Sequence, residues 1–110
     1  MKRGEVWTVA DAGYASKPRP CVIVQGDNFA ALESVTICLL TSNSQEASHF
    51  RIDVEPSEAN GLRATSKMMA DKLMTVPRVK LRQRMGVLES RYLIEFARSA
   101  IVFLGLERTG

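Results

Sequence analysis

His49-Phe50-Arg51-Ile52-Asp53-Val54-Glu55 alternates apolar and polar side chains: Phe50, Ile52 and Val54 fall on one side, Arg51, Asp53 and Glu55 on the other. A period of two over seven residues predicts a half-buried β-strand. On its N-terminal side lie two short apolar runs rich in β-branched residues, Pro20 to Gln25 and Val35 to Leu40. Continuous runs of that length predict strands covered on both faces. Gly26-Asp27-Asn28 breaks between them, and Thr41-Ser42-Asn43-Ser44 closes the second. Gly4 to Val9 reads as a further strand, with Val6 and Thr8 on one face and Glu5, Trp7 and Val9 on the other. Ala10 to Pro18 reads as a loop.

Beyond the decisive stretch, Pro56 to Gly61 reads as a turn and Ser66 to Thr75 as a strand ended by Pro77. From Arg78 to Val87 the pattern alternates again, which predicts a strand with Arg78, Lys80, Arg82 and Arg84 on one face. The tail changes period. Leu93, Phe96, Ala97, Ala100, Ile101 and Leu104 recur at helical spacing, with Glu89 or Ser90 to begin the helix and Gly105 to end it. Ile94, Val102 and Phe103 lie off that stripe, so the helix carries more apolar surface than one sheet contact needs. Burial in a dimer or under a partner is one account, surplus core another. Short strands followed by one helix predict an α+β fold, a small antiparallel SH3-like β-barrel with a C-terminal α-helix. The 110 residues predict one domain spanning 1–110.

Composition narrows the function. No apolar run approaches the roughly 20 residues of a membrane helix, and the charged start lacks a following apolar h-region, so no membrane partner and a cytoplasmic location are expected. Cys21 and Cys38 stand apart inside apolar runs, without a CxxC pair or a nearby histidine, and read as buried hydrophobes. The net charge of +3 is unevenly spread: residues 1–61 hold five Lys/Arg and eight Asp/Glu, residues 62–110 ten and four. A basic half suits RNA or an acidic protein partner equally. The acids are scattered, whereas a two-metal nuclease needs several close carboxylates, so no metal and no cofactor are expected.

Several blocks, taken together, carry a resemblance: Arg3-Gly4-Glu5-Val6-Trp7, Arg19-Pro20 leading into Val22-Ile23-Val24-Gln25-Gly26-Asp27, Leu39-Leu40-Thr41-Ser42-Asn43, Asn60-Gly61-Leu62, and Ala70-Asp71-Lys72 before Thr75-Val76. With Met85-Gly86-Val87-Leu88 they span nearly the whole chain, and in this order the chain resembles the MazF/PemK toxin family. The resemblance implies a sequence-selective, metal-independent endoribonuclease of a type II toxin–antitoxin system that cuts single-stranded mRNA and arrests growth. It implies attack by the RNA's own 2′-hydroxyl, giving 2′,3′-cyclic phosphate and 5′-hydroxyl ends. It further implies a homodimer with an interfacial RNA groove, neutralised by a MazE-like antitoxin with an acidic tail. Arg19 and Thr41 correspond to the residues linked to catalysis. Some members place an arginine two residues before the aspartate, and here that position is Met69. A non-catalytic poison like the CcdB gyrase inhibitors, or an inactive barrel-type RNA- or protein-binding module, is the alternative.

The chemistry of the residues fits that expectation. A phosphodiester that attacks itself needs stabilisation of a crowded phosphorane, and the arginine fork at Arg19 grips two phosphate oxygens at once. Thr41 can donate its hydroxyl to phosphate or serve as a turn-former at a strand end. Asp71 is a candidate proton acceptor, or the partner of Lys72 or an arginine. Lys17, Ser42, Asn43 and Lys72 are candidate RNA contacts, as is the face of Arg78, Lys80, Arg82 and Arg84, which also reads as a solvated edge. Tyr14 or Trp7 can stack a base. His49, the only histidine, reads as an exposed loop residue.

Overall fold

The computed structural model describes residues 1–10, 17–42 and 50–107; Tyr14, Asn43 and His49 lie outside them. The strands are β1 (Glu5–Val9), β2 (Arg19–Ile23), β3 (Ser34–Thr41), β4 (Arg51–Val54), β5 (Ser66–Pro77) and β6 (Leu81–Val87), followed by helix α1 (Ser90–Leu104). Single 3₁₀ turns occupy Asp27–Phe29 and Arg78–Lys80. All six strands form one antiparallel sheet in the order β4-β5-β3-β2-β1-β6. The α+β class is as expected, but the barrel stays open: β4 and β6 are its edges and do not pair with each other.

Alternation explains why the central strands read as unbroken apolar runs. Val22, Cys38, Leu40, Met68 and Ala70 pack on the face that α1 covers with Tyr92 and Phe96. Their neighbours Cys21, Ile23, Ile37, Leu39 and Met69 pack on the other face with Val9, Val35, Val76 and Leu81. Each residue of β2 and β3 thus has a core to enter, whichever way it points.

Two expectations are corrected. Arg78 and Lys80 do not continue a strand. They sit in the 3₁₀ turn, where the Arg78 N–H donates to the Glu33 carbonyl at 2.8 Å and its guanidinium donates to the carbonyls of Ala30 and Leu32. These bonds turn the chain after Pro77, so the four cations share no strand face. The buried side of α1 also differs. Tyr92 and Phe96 are its buried residues, whereas Ile101 and Leu104 are 42% and 52% exposed. Tyr92 goes inside because its hydroxyl accepts the Glu55 N–H at 3.2 Å, which satisfies its polar end. The last helical turns carry their apolar residues outward. Gly105, at φ 70°, ends the helix: its N–H bonds to the Val102 carbonyl, and that of Leu106 to Ile101.

Candidate active site

The site begins with register. In β2 and β3, Cys21 faces Leu39 and Val22 faces Cys38. Continuing that antiparallel register by two residues sets Arg19 opposite Thr41. Arg19 is also the partner of Val9 in β1, and Thr41 that of Lys67 in β5, which in turn faces Asp53 in β4. Directly opposed positions have Cβ atoms about 5 Å apart and point to the same side. One cross-strand row holds Thr41, Lys67 and Asp53, with Arg19 where that row would continue into β2 and the Lys67 ammonium 2.5 Å from the Asp53 carboxylate. Thr41 is nearly enclosed, at 6% exposure.

At the same end of the sheet lies a groove of about 620 Å³. Arg19, Ser42, Arg63 and Arg84 line it, over an apolar floor that includes Leu40, Leu62 and Met85. Arg63, Thr8 and Gln83 were not singled out from the sequence. Arg63 had a signal: it follows the Asn60-Gly61-Leu62 block directly. That block is a clamp. The fully buried Asn60 side chain accepts the N–H groups of Ser57 and Leu62 and donates to the Glu55 carbonyl and the Glu89 carboxylate. Gly61 (φ 71°) and Gly86 let the loop lie directly on β6: a Cβ at Gly86 would come within 2.3 Å of the Ala59 carbonyl oxygen. No side chain fits between, so the loop bearing Leu62 and Arg63 is fixed against the strand bearing Gln83 and Arg84.

Arg84 is braced from behind. Its inner nitrogen, Nε, stands 3.5 Å from the Glu5 carboxylate, whose other oxygen accepts the Trp7 indole N–H at 2.9 Å. Burial works to raise the Glu5 carboxyl, but the Trp7 and Lys2 N–H groups, the chain terminus and Arg84 outweigh it and hold it below its ordinary value. Trp7 is thus engaged with Glu5 and packs against the core of Val9 and Cys21.

Asp71 is placed differently. Between the Leu40–Met68 and Cys38–Leu73 pairs β3 spends one residue and β5 four, so Asp71 and Lys72 lie in a bulge. The Asp71 carboxylate accepts from the Arg51 guanidinium, and Arg51 is itself the cross-strand partner of Met69. Asp71 is four residues along β5 from Lys67, at most ~13 Å of strand, and does not line the groove. The structure thus gathers Arg19, Ser42 and Arg84 around one groove beside Thr41, with the exposed Lys17 next to groove-lining Pro18. It does not bring Asp71, Lys72, Arg78, Lys80 or Arg82 to that lining. Lys72 and Arg82 are exposed, and Arg78 is anchored near the start of β3. Cys21 and Cys38 are buried, and burial pushes both thiols up to about 12. Among the described residues no three of His, Cys, Asp and Glu come together to hold a metal ion.

Residues 2–104 match the family described as PemK-like, MazF-like toxin of type II toxin-antitoxin system. A probable endoribonuclease MazF of Mycolicibacterium smegmatis is 42% identical over 107 residues, covering 96% of this chain and 98% of that protein. Among solved structures, a mycobacterial endoribonuclease in complex with its cognate antitoxin superposes with a TM-score of 0.82 at 22% identity, over 99% of both chains. A MazE-MazF structure from Deinococcus radiodurans gives 0.77 at 16% identity, over 96% and 95% of the two chains. At such identities the structural likeness speaks for the fold.

Proposed function

The chain belongs to the PemK-like, MazF-like toxin family of type II toxin–antitoxin systems, whose members are endoribonucleases, and from that premise we propose that Arg19 and Thr41 carry the cleavage of single-stranded RNA. What supports the reading is their placement: the β2–β3 register runs from Ile23–Ile37 to Cys21–Leu39, and its continuation would bring Arg19 and Thr41, 22 positions apart in sequence, opposite each other beside a basic groove. Arg19 stabilises the phosphorane through its charged fork, and Thr41 adds a hydroxyl to the same phosphate or orients the attacking 2′-oxygen. The products are a 2′,3′-cyclic phosphate and a 5′-hydroxyl, and no metal takes part. Ser42, Lys17 and Arg84 hold the flanking backbone, with Arg82 further along β6.

Asp71 is assigned a supporting part. Its carboxylate is engaged by Arg51, which is nearly enclosed, with 6% of its side chain exposed, and the pair holds the β5 bulge beside Met69. The regulatory partner is a MazE-like antitoxin, whose acidic segment competes with RNA for the three arginines of the groove. The working unit is a homodimer in the cytoplasm, and the outward apolar residues of α1 give it a surface to pair.

The test is a digest of defined RNA by antitoxin-free protein in excess chelator, with the ends mapped. Cyclic-phosphate ends, reduced roughly 10²–10³-fold in rate by Arg19→Ala, support the reading. Intact RNA, or cleavage untouched by that substitution, overturns it.

A further inference from the structure

The groove holds more than a cleavage pair needs. On the proposed reading Arg19 answers one phosphate, yet Arg63 and Arg84 line the same groove from two other chain segments, and Gln83 lines it beside Arg84. Each of these positions is built. The loop that leads into the exposed Arg63 is fixed by the Asn60 network and by the two glycines that seat it on β6. Arg84 is braced at Nε by Glu5, which does not use the terminal fork. The Gln83 backbone N–H donates to the Thr8 hydroxyl at 3.1 Å, which pins that residue at the groove wall. Beneath them Leu40, Leu62 and Met85 form an apolar floor.

Cations around an apolar floor, with one amide at the wall, match the chemistry of a single nucleotide: a phosphate to grip, a flat face to bury and a polar edge to read. We propose that this groove is a nucleotide subsite for a residue flanking the cut, in which Arg63 and Arg84 hold its phosphate, Leu62 and Met85 take its base and Gln83 reads the base edge. Gln83 is then a specificity residue, and Arg63 a substrate-binding one. An amide carries both a donor and an acceptor, so it distinguishes bases by their edge pattern in a way arginine alone does not. The inference rests on RNA being the substrate of the groove, but it does not rest on Arg19 and Thr41 doing the chemistry.

Binding and cutting are therefore read separately. Affinity is measured on an oligoribonucleotide carrying 2′-deoxy substitutions, which keeps bases and phosphates but lacks the attacking hydroxyl. Arg63→Ala is expected to bind roughly tenfold more weakly, with the slope of log K against log salt shallower by about 0.7. Arg63→Lys recovers the salt slope but only part of the affinity. Gln83→Leu is expected to relax base preference at one position beside the cut when a random-sequence RNA pool is digested and its ends are mapped. Thermal melts of each variant confirm folding. Unchanged affinity and salt slope in Arg63→Ala, or an identical cut-site profile in Gln83→Leu, overturns the subsite. Wild-type protein that binds the oligonucleotide through Arg63 but cuts nothing removes the catalytic reading and leaves the subsite standing.

Discussion

A Cβ placed on Gly61 would lie 2.1 Å from the carbonyl oxygen of Met85. The contact is backbone against backbone, so no rotamer change relieves it. Gly61 also holds φ at 71°, where a side chain is strained in any space. Gly61→Ala is expected to cost roughly 3 kcal/mol, from overpacking and left-handed strain together. Gly105 has a similar φ of 70° but nothing within 4 Å, so Gly105→Ala isolates the strain and costs about 1 kcal/mol. Urea unfolding of both variants measures the difference. Equal losses would show that the clamp on β6 adds nothing.

Acid should undo the same clamp. The Ser57 hydroxyl donates to the Glu89 carboxylate at 2.7 Å and, with the Asn60 amide and Arg91, holds it below its ordinary value against the effect of burial. A lowered carboxyl stabilises the fold above the pKa of the unfolded chain, about 4.3, and loses that contribution as pH falls through the folded value. Glu5 acts in the same direction. The melting temperature is therefore expected to be flat from neutrality to about pH 5 and to fall below it, and the fall should shrink in Glu89→Gln. A fall of the same depth in that variant removes Glu89 from the account.

Asp71→Asn separates support from chemistry. Arg51, nearly enclosed, would lose the Asp71 carboxylate from its surroundings, a loss of roughly 2–4 kcal/mol. The cleavage rate per folded molecule is expected to stay within about threefold of wild type. A hundredfold loss of cleavage with an unchanged melt would instead place this carboxylate in the reaction.

The thiols give a probe of opening. Burial holds Cys21 and Cys38 protonated, with values near 12, in the middle of the sheet. Since the thiolate is the reactive form, alkylation of the native protein at pH 8 is expected to wait on unfolding, with both cysteines reacting together. Rapid labelling of either one in folded protein contradicts their placement.

The end of α1 bears on assembly. Val102 is 59% exposed, near Ile101, Phe103 and Leu104 at 42–52%. A contiguous apolar patch of this kind marks a contact surface. If the proposed homodimer pairs through this patch, Val102→Glu weakens self-association in sedimentation at micromolar concentration while leaving the fold intact. A dimer of unchanged strength puts the self-contact elsewhere.

How much of this lay open in the residues themselves follows from the range of the forces involved. Periodicity is local: alternation in Arg51–Val54, unbroken apolar runs in β2 and β3, and a Gly-terminated helix are written within a few residues and appear where expected. The turn at Arg78–Lys80 was missed because alternation continues through it. What makes the turn is three carbonyls supplied by Ala30, Leu32 and Glu33, more than 40 residues away. Tyr92 was passed over for the same reason, its hydroxyl being satisfied only by the distant Glu55 N–H.

The candidate site divides along that line. Only the family likeness marked Arg19 and Thr41, whose residue types alone read as a loop arginine and a turn-former, and no spacing along the chain says that β2 and β3 align so as to bring them to the same end of the sheet. Register is set by which apolar side chains enter which core once several strands meet. The approach of Arg63 to the groove depends in turn on two glycines letting backbone touch backbone. Local order comes from each residue and its chain neighbours, whereas convergence of remote side chains comes from packing, which exists only when the whole sheet has formed.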